Sequence, residues 1–433
     1  MIRSVCLAAL VAFALPLAAQ TPADLPASDA RGSVLIQGAT VHTVTNGVLE
    51  NTDVLVRDGK IDRIGEGLRA PRGVQVIDAR GKHLTPGLID AHSHIALSSV
   101  NEATNPIVAE VQMRDAVNPS DIGIYRALAG GVTSIHVMHG SANPVGGENE
   151  TLKLRWGTLD PDGLLFEDAP RTIKFALGEN PTRVHGQGRG IRPRTRMGIE
   201  QVFREAFTEA RAYMAAQEAA REASTPLPPI NRRMETLAGI LRGEVLVHAH
   251  SYRSDEILML LEVLQDFGVN RVTFQHANEA YKVAPELAAA GASASVFSDW
   301  WSYKFEVYYS TAHNATILAQ NGVRTSINSD DAGMIRHLYH EAAKAQRYGQ
   351  LDDASALAMV TINPAYQLGI DDRVGSIERG KDADLALFSD HPLSVYTRVE
   401  TTWVDGIARF DAARDGHDQP RLPARHRRPR GLH

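Results

Sequence analysis

The sequence predicts an α/β fold: a (β/α)8 TIM-like barrel with a small β-sandwich built from both chain ends. Two textures predict it. Residues 85–372 repeat an amphipathic helix, a glycine and a short apolar strand that ends in a polar residue. Strands alternating with helices at this spacing imply parallel βαβ units, and so many of them fit a closed barrel. On either side, residues 33–84 and 373–412 alternate polar and apolar in short runs, as small strands do.

Taken in order, residues 1–19 read as a cleaved signal peptide: "MIRSVCLAALVAFALPLAA" has an arginine, an apolar run and small residues at its end. The run is shorter than the ~20 apolar residues a bilayer span needs. Cys6, the only cysteine, lies inside it, so the mature chain would hold no disulfide. The expectation is an exported protein, periplasmic or secreted, with no membrane span after cleavage. A net charge of −6 mixed from both signs leaves no basic face, which argues against nucleic acid as a partner. At 433 residues, a single small domain is excluded.

Within the first β segment, Asp58-Gly59 is a pair suited to a tight hairpin turn. In the middle, "IGIYRALAGGVTSIHVMHG" shows the repeating unit, with Gly130 and Gly131 stopping the helix. "LAGILRGEVLVHAHS", "ILMLLEVLQDFGVNRVTFQHAN", "APELAAAGASASVFSD" and "ATILAQNGVRTSINSDD" are further cases. A doubly wound open sheet is the rival, weakened because no glycine-rich dinucleotide fingerprint opens a first βα turn. Residues 199–223 predict a long alanine-rich helix, broken by "STPLPPINRR". Residues 413–433, rich in Pro and Arg, read as a disordered tail.

Active sites of such barrels lie at the C-terminal ends of the strands, so polar residues ending apolar strands are the ones to collect. They are His92 and His94 in "GLIDAHSHI", Lys174 in "RTIKFALGEN", His248 and His250 in "GEVLVHAHS", His276 in "VTFQHAN", and Asp330 and Asp331 in "VRTSINSDD". Residues i and i+2 of a strand share a face, so His92 and His94 can turn inward onto one metal ion. An isolated HxH is weak evidence; the ordered company of the other strand-end groups makes it a metal pair.

Together with the closing "RVGSIERGKDADLALF", this set resembles the metal-dependent amidohydrolase superfamily, in its imidazolonepropionase-like and Xaa-Pro-dipeptidase-like branch. The resemblance covers nearly the whole mature chain. It implies that His92 and His94 bind one metal, that Lys174 is carbamylated and bridges two metals, and that His248 and His276 bind the second. Asp330 would bind metal and serve as general base and acid toward water and the leaving nitrogen. Glu179 is the rival bridging group. The implied cofactor is a pair of divalent ions, zinc on ligand type, sharing a hydroxide that attacks a C–N carbonyl.

Further residues read as substrate contacts: His139, with Ser141 and Asn143, in a βα loop that continues to Arg155; Arg183 and His185 in a segment that also holds Arg189, Arg192, Arg194 and Arg196; and His250, otherwise an outer-shell residue. One arginine could hold a substrate carboxylate. Trp300, Trp301 and Tyr303 would line a pocket or pack the barrel. The function expected is hydrolysis of an amide in a small-molecule or dipeptide-like substrate. A mononuclear deaminase or cyclic-amide hydrolase is the alternative, and a non-catalytic binding barrel stands further off. A homo-oligomer is compatible with all of these.

Overall fold

A computed structural model describes residues 32–300 and 303–415. The proposed signal peptide, Trp301 and most of the proposed tail lie outside the described residues; Ala412–Asp415 form a short helical turn. Among the described residues, no helix is long and apolar enough to cross a membrane.

The described residues open with β1 (Val34–His42), β2 (Val48–Arg57), β3 (Lys60–Gly65), β4 (Gln75–Asp78) and β5 (His83–Pro86). The barrel strands follow: β6 (Leu88–Ser93), β7 (Val132–Val137), β8 (Val145–Lys153), β9 (Arg171–Ala176), β10 (Val245–Ser251), β11 (Val272–His276), β12 (Ser293–Val296) and β13 (Arg324–Ile327). β14 (Leu385–Phe388), β15 (Val399–Val404) and β16 (Ile407–Asp411) return to the first sheet. That sheet runs β16-β15-β14-β5-β1-β2-β3, with β4 beside β1, so both chain ends build it. The Asp58-Gly59 turn has φ of +50° and +77°, the left-handed pair that a two-residue hairpin requires.

The second sheet runs β6 to β13 in chain order, eight strands forming a nearly closed barrel. Between β13 and β6 the gap is spanned by Asp90, whose carboxylate accepts from the Ser329 amide at 3.1 Å and its hydroxyl at 2.5 Å. The Asp330 amide donates to the His92 carbonyl at 3.1 Å across the same gap. β6, β7, β10 and β11 are buried along their whole length, as strands covered on both faces must be.

One expectation needs correcting. β8 is antiparallel to both β7 and β9, whereas the other barrel neighbours pair in parallel. The chain leaves β7 through residues 138–144 alone, too short for the crossover of a dozen or more residues that a parallel return needs. The reversal puts Lys153, at the end of β8, opposite Ser134 near the start of β7, away from the strand ends that carry the histidines.

The long helix spans Arg196–Glu222 and buries Ile199, Val202, Phe203, Ala206, Phe207 and Ala210 on one stripe. Asn231 caps the next helix, Arg232–Leu241, by accepting from the Met234 amide. Gly130 is needed after the helix Ile122–Leu128 because a Cβ there would meet the Arg336 backbone.

His42, His83 and His391 form a cluster where the first sheet meets the barrel, with ring centroids 5.2 to 5.5 Å apart. His391 also pairs with Asp353 of a barrel helix at 3.0 Å. Burial, then the neighbouring His83 and His391, push His42 from 6.5 down to about 4. In that interval the unfolded chain binds the proton that the folded chain refuses, so stability rises with pH. We expect the melting temperature to fall as pH drops from about 6.5 to about 4, and to fall less in His42→Asn. Equal slopes for the two proteins in thermal melts across this range would contradict it.

Candidate active site

The strand ends of β6, β9, β10, β11 and β13 converge on one buried cluster. His94 Nε2 lies 3.3 Å, His92 Nε2 3.6 Å and His276 Nε2 3.8 Å from the Asp330 carboxylate. Lys174 Nζ reaches to 3.0 Å from His92 Nε2. His276 and Asp330 take left-handed φ of +65° and +44°, rare for residues with a Cβ. The strands thus turn inward as they end.

Gln275 orders the layer below. Its Oε1 accepts from His92 Nδ1 at 3.1 Å, and its amide donates to His248 Nδ1 at 3.0 Å. With its Nδ1 proton so engaged, His92 presents the Nε2 lone pair to the cluster. Asp90 also accepts from the His92 amide, at 3.2 Å, so one carboxylate positions both His92 and the Ser329-Asp330 turn. Neither Gln275 nor Asp90 is identified by sequence reasoning; their one signal is adjacency to the histidines.

Electrostatics suit a cation. Burial, then the Lys174 charge, keeps His92 well below its usual range and brings His94 down to about 3. Burial likewise drives His250 and His276 far down. All four are neutral near pH 7 and offer lone pairs. Burial pushes the Lys174 ammonium down and the Asp330 carboxyl up, each partly opposed by the other's charge.

The donor set fits a divalent ion. One ligand atom each of His92, His276 and Asp330 lie within 4.8 Å of one another. Buried His94 Nδ1 and both His276 ring nitrogens have no hydrogen-bond partner. Separations of 3.3 to 3.8 Å are those of ligands gathered around one ion at roughly 2.0–2.2 Å.

The other expected residues divide. His250 and His248 share a face of β10, as period two requires, but at different heights. The His250 ring lies 4.8 Å from His276, whereas His248 packs against His136 at 4.5 Å, beneath Gln275. His250, rather than His248, therefore shares the layer of His276. Lys174, in register with His248, enters that layer only because its side chain is long. Glu179 turns toward Lys304 at 3.7 Å and Arg183 at 3.8 Å, so Lys174 is the group that reaches the histidines.

His139 spends both ring nitrogens on backbone: Nε2 accepts from the Glu102 amide at 2.9 Å and Nδ1 donates to the Gly140 carbonyl at 2.8 Å. It ties down a loop and has no nitrogen left for substrate. Asn143 straps the same loop through the Glu102 and Asn105 carbonyls. Arg155 lies away from the site, on Asp405 at 2.7 Å. Arg183 is largely exposed; Arg189 donates to the Ala103 and Thr104 carbonyls, Arg192 pairs with Glu205, and Arg196 with Glu256 and Glu306. His185 is fully buried in a π-helical turn, Arg183–Gln187. Tyr252 and Phe297 stack near His276, and Trp300 stacks on Phe297, so aromatics do wall the site.

Similarity to known proteins extends over most of the chain. The model of the amidohydrolase family matches residues 83–409. The amidohydrolase tasK of Hapsidospora irregularis is 34% identical over an alignment of 393 residues that covers 83% of this chain and 40% of that protein. The chain thus spans well under half the length of that relative. A 5-methylthioadenosine/S-adenosylhomocysteine deaminase of Moorella thermoacetica is 24% identical over 82% of this chain and 85% of its own. The crystal structure of an amidohydrolase from Thermotoga maritima MSB8 superposes with a TM-score of 0.82 at 36% identity, covering 87% of this chain and all of that one. With the barrel and the family match in agreement, the chain belongs to the amidohydrolase family.

Proposed function

We propose that the protein hydrolyses the amide bond of an N-acyl amino acid or dipeptide-like compound. The divalent ions would be held by His92, His94, Lys174, His250, His276 and Asp330. The supporting observation is the set of neutral, buried imidazoles around Asp330, with nitrogens that no protein group satisfies. A divalent ion held there, zinc on this nitrogen-rich donor set, supplies a Lewis acid that polarises a carbonyl and acidifies water.

The chain's own residues do the rest. Asp330 takes a proton on its carboxylate and returns it to the leaving nitrogen; a carboxyl raised by burial is better matched to both transfers. Lys174, pushed toward its neutral amine, can add CO2: its Nζ forms the new N–C bond, a proton is released, and the side chain ends in a carboxylate. That carbamate supports a two-ion centre. A one-ion deaminase or cyclic-amide hydrolase is the second reading, favoured by the similarity to the deaminase.

Metal content decides between them. Protein purified without chelator should carry about two ions per chain, with Lys174→Ala losing most of them. About one ion, unchanged in Lys174→Ala, would favour the second reading. In the same assay His250→Asn should lose metal outright. His248→Asn, which alters only the layer below, should weaken retention by roughly 10–100-fold. The reverse order would restore His248 as the ligand.

A further inference from the structure

Beside the histidine cluster sits a half-buried ammonium that the hydrolytic chemistry does not use. Lys304 is 15% exposed and lies 4.2 Å over the ring of Tyr252, whose ring in turn stacks 5.5 Å from His276. It donates to Asn180 Oδ1 at 3.2 Å, and the Asn180 amide lies 3.5 Å from His250 Nε2 and 2.8 Å from the Ser141 hydroxyl. Lys304 is therefore one side chain away from His276 along one path and from His250 along another.

Its partners hold it loosely. Beyond Asn180, its nearest oxygens are Glu306 at 3.4 Å and Glu179 at 3.7 Å, longer than the 2.7–2.9 Å of a good charge-assisted hydrogen bond. Both glutamates have other cations. Glu306 is gripped by Arg196 and accepts from the Glu179 amide at 2.7 Å, and Glu179 faces Arg183. The third carboxylate of the network, Glu256, pairs with Arg196 at 2.9 Å, and burial pushes it up to about 7. An ammonium with three donors and no short contact, in a largely dry wall of aromatic rings, has capacity for an anion.

We propose that Lys304 is the specificity residue that seats a substrate carboxylate next to the scissile amide, with Asn180 holding the ammonium in place. This rests on the amide-hydrolase reading and narrows it to substrates with a carboxylate close to the scissile nitrogen, as in an N-acyl amino acid. The hydroxyls of Tyr252 and Tyr303 pair at 3.3 Å on the same wall. Of the nearby arginines, Arg189 and Arg192 are engaged by the Ala103 and Thr104 carbonyls and by Glu205, Arg196 is held between Glu256 and Glu306, and Arg183 is largely exposed.

The test pairs a series of N-acetyl amino acids with their neutral C-terminal amides, on wild type, Lys304→Met and Lys304→Arg. In wild type, kcat/KM for hydrolysis of the acetyl amide should favour the acids. The acid-to-amide ratio should fall roughly 10–100-fold in Lys304→Met, chiefly through KM, and be partly restored in Lys304→Arg. A merely structural lysine would lower both members of each pair together and leave the ratio where it was. A wild-type ratio near one, or a ratio unmoved by Lys304→Met, overturns the assignment while leaving amide hydrolysis standing. Should wild type hydrolyse neither series, the amide-hydrolase reading fails on its own. Calorimetry with the same acids and amides then decides Lys304: tighter acid binding lost in Lys304→Met supports it, and equal binding overturns it.

Discussion

Asp330→Asn should lower kcat for amide hydrolysis by roughly 10²–10⁴-fold, the usual contribution of a positioned acid–base group. Asparagine keeps the size of the side chain and one oxygen, but it cannot take a proton from water or hand one to a leaving nitrogen. The turn that presents it should survive, because its backbone is fixed through the Asp330 amide on the His92 carbonyl and the Ser329 contacts to Asp90. Since Asp330 also faces His92, His94 and His276, metal content has to be measured beside the rate and restored by added zinc. A rate that returns in full with zinc would make Asp330 a ligand alone. An unchanged rate without added metal would remove it from the chemistry altogether.

The second large effect lies at the other end of the barrel. Lys153 is fully buried, its ammonium 2.8 Å from Asp382, 3.2 Å from Asp384 and 2.5 Å from Asp405. Burial works against the charge, yet the three carboxylates hold Lys153 above its ordinary range. Asp382 shows the reverse: burial raises it, but Lys153, Arg373 and Lys60 bring it down to about 2. This cluster joins the last residues of β8 to the segment before β14 and to the turn between β15 and β16. Lys153→Met leaves buried carboxylates without their cation and should destabilise the fold by about 3–5 kcal/mol. Adding Asp384→Asn should recover part of the loss, because removing both partners is less harmful than stranding one. Chemical denaturation reads both; a loss below about 1 kcal/mol for Lys153→Met would place the joint among ordinary surface ion pairs.

What the sequence could and could not reveal follows from the range of each interaction. His92, His94 and His276 were legible because each ends an apolar run, and a buried strand leaves a terminal histidine nowhere to go but the barrel mouth. The Asp58-Gly59 hairpin was legible because its backbone demands left-handed residues. The reversal of β8 was not, since "VGGENETLK" has neither an apolar run nor a clean alternation. Period two places His248 and His250 on one face but carries no information about height, so only the packing of His136, Gln275 and His276 separates them. His139 stood in a loop of the right composition, yet the Glu102 amide that occupies its Nε2 comes from a residue the sequence does not connect to it. The arginines after Arg183 looked like an anion site for the same reason: the Ala103 and Thr104 carbonyls that engage Arg189, and the Glu256 and Glu306 that hold Arg196, are distant in the chain. Lys304 follows Trp300 and Tyr303 in the sequence without a signal of its own, and only folding sets it one side chain away from His276 and His250.

The central claim is that hydrolysis depends on metal held at the converging strand ends. The direct measurement is amide hydrolysis by the same preparation before chelation, after complete chelation, and after zinc is returned, with circular dichroism confirming that the stripped protein stays folded. The account predicts that activity disappears with the metal and comes back with it. Hydrolysis that continues undiminished in metal-free, folded protein would contradict it.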